Sequence, residues 1–95
     1  NLAQCRRMCD SGDMKGCFSL GEFYQHGDGV EQDFKVAAVF FERSCRLGHM
    51  EGCESLAFAY HNGEGVDKDR REARRFFHRA CDGGRKEACQ WLAEP

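Results

Sequence analysis

Between residues 15 and 26 the apolar side chains Cys17, Leu20, Phe23 and Tyr24 recur at the spacing of one helix face, and Gly27-Asp28-Gly29 follows as a helix-ending turn. From Phe34 to about Leu47 a second run places Val36, Ala37, Phe40, Phe41 and Ser44 on the same period. Asp33 is a suitable N-cap for it, and Gly48 ends it. The same plan returns over residues 50–62 and 69–82. Residues 2–10 carry the pattern of a second helix and residues 85–93 that of a first one.

These runs are copies of one unit. A shift of 36 residues superposes Cys9, Cys45 and Cys81, then Gly12, Gly48 and Gly84, then Cys17, Cys53 and Cys89, and finally Leu20, Leu56 and Leu92. Tyr24 meets Tyr60, and the turn Gly27, Gly29, Val30 meets Gly63, Gly65, Val66. Sixteen of the 36 positions from Asp10 to Cys45 are identical one period on. Ordinary composition gives about two by chance, so the repeat is real. A unit of this length with two helices predicts an all-α solenoid, an α/α superhelix of stacked helix pairs. The expected organisation is one array over residues 1–95, with a partial unit at 1–12, repeats at 13–48 and 49–84, and a partial unit at 85–95.

The string Leu20-Gly21, Tyr24, Gly27, Gly29-Val30, Asp33, Ala37, Phe40-Phe41, with Ala80-Cys81-Asp82 and Gly84 in the next copy, resembles the Sel1-like repeat, a relative of the tetratricopeptide repeat with a longer glycine-containing turn. The extra cysteine pair in each copy is similar to that of the cysteine-rich, disulfide-containing subgroup known from Helicobacter and bacterial periplasms. The resemblance covers essentially the whole chain. It implies a right-handed superhelix whose first helices line the concave side. It implies no single function, because the family spans adaptors, secreted factors and assembly proteins.

Seven cysteines in 95 residues indicate either an oxidising compartment or metal binding. Cys9/Cys17, Cys45/Cys53 and Cys81/Cys89 are each eight positions apart, which on one continuous helix would separate their α-carbons by about 12 Å. Gly12, Gly48 and Gly84 break the helix inside each interval and turn the chain back, so three bridges of like geometry are expected at the joints between units. Zinc competes poorly, since structural sites favour pairs two to four residues apart with further Cys or His ligands, and no Cys-x-x-Cys-His haem motif is present. No metal or other cofactor is expected. Cys5 aligns with Phe41 and Phe77. It reads as a small buried residue in place of an aromatic, with an intermolecular disulfide, a redox contact or pairing with upstream sequence as the other readings. Periplasmic or secreted localisation follows from the cysteines, with the mitochondrial intermembrane space as the alternative. The chain opens on Asn1 without a signal segment, so it is read as a mature or trimmed form.

Fourteen Lys and Arg against sixteen Asp and Glu give a net charge near −2, with no global field to recruit nucleic acid or anionic lipid. The Arg70, Arg71, Arg74, Arg75, Arg79 stretch reads as a solvated outer face. The apolar runs are too short to insert in a membrane. The Gly-Asp-Gly-Val and Gly-Glu-Gly-Val turns lack the ending of a phosphate loop and recur once per unit, as structural turns do. Ser-x-x-Lys, Ser-Asp-Asn and Lys-Thr-Gly are absent, which weighs against the penicillin binding and weak β-lactam hydrolysis associated with the cysteine-rich subgroup. His26, His49, His61 and His78 fall at unlike repeat positions and read as exposed polar residues.

The remaining reading is an interaction module that is not an enzyme. Recurring residues maintain stacking, whereas residues that differ between copies are free to encode specificity. Matching to tetratricopeptide geometry places Phe18, Glu22, Gln25 and His26 on the concave face, followed by Glu54, Phe58, His61 and Asn62, with Gln90 continuing the row. Such a surface suits a protein or extended peptide, with Phe18 and Phe58 as anchors unless both merely pack between helices. A β-lactam-binding protein and a redox or metallochaperone factor built on Cys5 are the alternatives.

Overall fold

The computed structural model describes residues 1–93 as six helices: α1 (Leu2–Asp10), α2 (Met14–His26), α3 (Phe34–Arg46), α4 (Met50–Asn62), α5 (Arg70–Asp82) and α6 (Lys86–Ala93). Among the described residues there is no strand. The starts of α1, α2, α3 and α5 lie where a side chain satisfies free N–H groups of the first turn, whereas α4 starts after His49 without such a bond. The carboxylates of Asp13, Asp33 and Asp69 each accept from two such groups at 2.9–3.2 Å. α2 and α4 end on Gly27 and Gly63, both left-handed.

Consecutive helices pack on one another, and the array measures 41 × 23 × 16 Å. Alternate helices therefore form two layers, α2, α4 and α6 in one and α1, α3 and α5 in the other. The recurring residues fill the space between them. Leu20 and Leu56 are fully enclosed, Phe41 and Phe77 are buried, and Tyr24 stacks on Phe40 as Tyr60 does on Phe76, with centroids 5.9 Å apart in both copies.

Disulfides Cys9–Cys17, Cys45–Cys53 and Cys81–Cys89 tie the end of each second-layer helix to the start of the next first-layer helix, with α-carbons 4.4, 4.5 and 4.7 Å apart. So close an approach restricts the residue before the second cysteine. A Cβ on Gly52 would stand 2.6 Å from Ser44 Oγ, and one on Gly16 would stand 2.6 Å from Met8 Cβ. The third joint accommodates alanine by pairing two small residues, Ala80 and Ala88, both fully buried. Cys5 is a half-buried free thiol packed against the cluster of Cys9, Cys17 and Leu20.

Gly65 has φ +79° and lies directly on the Phe34 carbonyl at the start of α3. Gly29 has the same backbone, φ +77°, with open space beside it, since the position one period before Phe34 lies outside the given sequence. The turn of one repeat is thus a packing surface for the second helix of the preceding one.

Candidate functional site

On the first-layer helices, positions that differ between copies meet across the joints. Phe18 on α2 reaches the N-cap residue of α4, His49, edge to face at 4.9 Å, and also tilts against Phe41 at 5.6 Å. One period on, Glu54 stands in place of Phe18 and Arg85 in place of His49. Arg85 Nη2 donates to Glu54 Oε1 at 2.9 Å, and Arg85 Nη1 lies 3.8 Å from Glu51 Oε1. The hydrogen bond to Glu54 pushes the Arg85 guanidinium above its ordinary pKa, outweighing the opposing effect of desolvation. Glu54 is only 8% exposed. Its expected place in an open binding row is corrected accordingly, because its carboxylate is turned into the joint by Arg85.

Phe58 occupies the position of Glu22 and sits in an aromatic group. It meets Phe77 at 5.1 Å and Trp91 at 5.3 Å, both edge to face. Trp91 stacks flat on Phe77 at 5.5 Å, and His61 closes on the indole at 4.8 Å. Phe58 and His61 are half-buried, while Trp91 remains 37% exposed. Both Phe18 and Phe58 therefore pack between helices while keeping part of their surface open. Sequence reasoning missed Trp91, which stands where the other copies have Ser19 and Ser55. That departure, at the chain's one tryptophan, is the signal that could have found it.

Of the other expected residues, Glu22, His26, Asn62 and Gln90 are exposed and Gln25 is half-buried. Glu22 and His26 line one open cavity of about 250 Å³ with Ser19, Phe23 and Asp28, but the rest of the row does not enter it. The expectation that all four histidines are exposed fails at His49 and His61, whose rings complete aromatic contacts. His26 and His78 are exposed. Among the described residues no three His, Cys, Asp or Glu side chains gather in a way that could hold a metal ion, and no helix is long and apolar enough to cross a membrane.

The model of the Sel1 repeat matches residues 15–49 and again residues 51–84. The chain belongs to the Sel1 repeat family. Among solved structures, this Sel1 array is similar to cysteine-rich protein B of Helicobacter pylori, with a TM-score of 0.93 and 32% identity over 96% of this chain and 68% of that one. It is also similar to c5321, a protective antigen of uropathogenic Escherichia coli strains, with a TM-score of 0.92 and 32% identity over 97% of this chain and 20% of that one. A Sel1 repeat protein from Oxalobacter formigenes gives a TM-score of 0.89 and 30% identity, over 93% of this chain and 26% of that one. The array thus spans about a quarter or less of the last two proteins. A comparison with curated proteins returns no match. The three disulfides, in a fold similar to that of the Helicobacter cysteine-rich protein, fit an oxidising compartment outside the cytoplasm.

Proposed function

We propose that this Sel1 array binds an extended peptide or protein segment along its first-layer helices, in the periplasm or after secretion. Sel1 repeats generally mediate protein–protein contacts, and most proteins built from them are scaffolds without enzymatic activity. The observation that carries the reading is Trp91. Its indole is held flat on Phe77 and edge-on to Phe58, so it is rigid, yet more than a third of its surface is exposed. Rigid amphipathic aromatics of this kind lose little conformational entropy on binding and act as anchors. Exposed polar groups at Glu22, His26, Asn62 and Gln90 supply partners for the amides of an extended segment. Glu54 contributes by fixing the joint under this surface and not by direct contact.

The test is capture from an extracytoplasmic extract by the wild type and by a variant with Asn62→Ala and Gln90→Ala, two exposed positions with no side-chain hydrogen bond among the described residues. A partner bound by the wild type and lost from the variant, with circular dichroism unchanged, supports the reading. Equal capture by both opposes it.

A further inference from the structure

The net charge of −2 conceals a separation that the fold makes visible. The second-layer helices α1, α3 and α5 contain ten Lys and Arg against four Asp and Glu, whereas the rest of the chain contains four against twelve. One layer is cationic and the remainder acidic.

Part of this charge recurs with the repeat. Arg7, Arg43 and Arg79 occupy one position on α1, α3 and α5, and all three are exposed. Lys35 and Arg71 share another, also exposed in both copies. Among the described residues, Arg7, Lys35, Arg71 and Arg79 have no carboxylate within ion-pair distance, and Arg43 lies over the Phe40 ring at 5.3 Å. Arg70 and Arg74 widen the row on α5 and are likewise unpaired. Glu42 and Glu72 engage Arg46 and Arg75 on the same layer, which leaves the cations named above in excess. Nearly every one of them is arginine, whose planar fork suits phosphate oxygens.

A second observation is independent of charge. Of the three large apolar side chains exposed among the described residues, Val39 is 53% exposed on α3 and Leu47, its C-cap residue, is 44% exposed. Val39 stands between Lys35 and Arg43 along α3 and lines an open groove with Lys35, Glu42 and Tyr60, so cations lie before and after it on the helix with one carboxylate, Glu42, beside it.

We propose that the α1, α3, α5 layer rests on an anionic membrane surface, its arginines on lipid phosphates and Val39 and Leu47 at the headgroup boundary. Apolar side chains in a cationic helical face are the arrangement by which proteins lie on such surfaces without spanning them. The arginines of α5 cover about half of its circumference and Arg7, Lys35 and Arg43 carry the charge across the two neighbouring helices, an area that suits an extended surface better than a single peptide. The first-layer helices then face away from the lipid, open to a partner. This inference does not depend on the peptide-binding reading.

The test is co-sedimentation of the 95-residue chain with phosphatidylcholine vesicles, either pure or containing about a third phosphatidylglycerol, at low and moderate salt. The expected result is binding to the anionic vesicles alone, weakened at least about tenfold by salt. Replacing Lys35, Arg71 and Arg79 by Glu should abolish it with helicity unchanged. Val39→Asp should weaken it severalfold, and Lys86→Ala, which removes an exposed cation from the other layer, should have no effect. Absence of binding to anionic vesicles at low salt overturns the proposal, as does binding that survives the triple charge reversal. Vesicle-independent capture of a soluble acidic peptide, lost on the same reversal, assigns the layer to a protein partner and also overturns it.

Discussion

Arg85 meets Glu54 at the position in the repeat where His49 meets Phe18, so one joint is closed by an ion pair and the preceding one by two rings. Both pairs are separated by 31 residues and link one first-layer helix to the residue directly before the next. The joint is thus a fixed geometric slot that either chemistry can fill.

Removing one member of the ion pair should leave the other half-satisfied in a largely buried place. Arg85→Ala is expected to cost about 1 to 2 kcal/mol, below the figure for a fully buried pair because the Arg85 side chain is 37% exposed. Glu54→Phe combined with Arg85→His, which copies the other joint, should recover most of that loss. Thermal unfolding of Glu54→Phe, of Arg85→His and of the double variant measures the coupling. A double variant as unstable as the sum of the singles would show that the slot is not transferable.

The two turn glycines should respond differently. Gly65→Ala places a Cβ against the Phe34 carbonyl and also imposes a left-handed backbone on alanine, whereas Gly29→Ala meets only the second penalty. The left-handed term is about 1 to 2 kcal/mol at either position. Gly65→Ala should therefore lower the melting temperature clearly further. Equal shifts would mean that the turn of the second repeat does not bear on α3.

Unreduced, denatured protein should show one reactive thiol, from Cys5, and peptide mapping should recover the three bridged pairs. Changing Cys45 and Cys53 together to Ser should cost about 2.5 kcal/mol, the chain-entropy value for a loop of some nine residues. Recovery of a Cys5–Cys9 peptide with Cys17 free would contradict the N-terminal pairing.

What the sequence revealed and what it hid follow from one cause. Leu20 and Leu56, Phe41 and Phe77, and the cysteine pairs recur because an enclosed position between stacked helices tolerates little change, so sequence comparison within the chain exposes them. The joint occupied by Phe18 and His49, and then by Glu54 and Arg85, conserves a distance and not a residue type. Identity matching therefore reads Glu54 as a variable surface residue. The recoverable signal was the joint change of positions 18/54 and 49/85, from two rings to two opposite charges. Trp91 escaped for a similar reason, since it occupies a serine position and its neighbours Phe58 and Phe77 come from two other helices. The charge separation between layers was invisible in a net value but follows at once when residues are assigned to alternate helices.

Trp91 is the protein's one tryptophan, so its emission reports directly on the surface assigned to the partner. The decisive measurement is a fluorescence titration with a peptide from the captured partner, for the wild type and for His61→Ala, which removes the imidazole 4.8 Å from the indole. Binding on the first-layer helices predicts a saturable blue shift of Trp91 as its exposed surface is covered, with affinity reduced about tenfold or more in the variant. Saturable binding of the same peptide, measured calorimetrically, with Trp91 emission unchanged and His61→Ala binding as tightly as the wild type, would contradict the account.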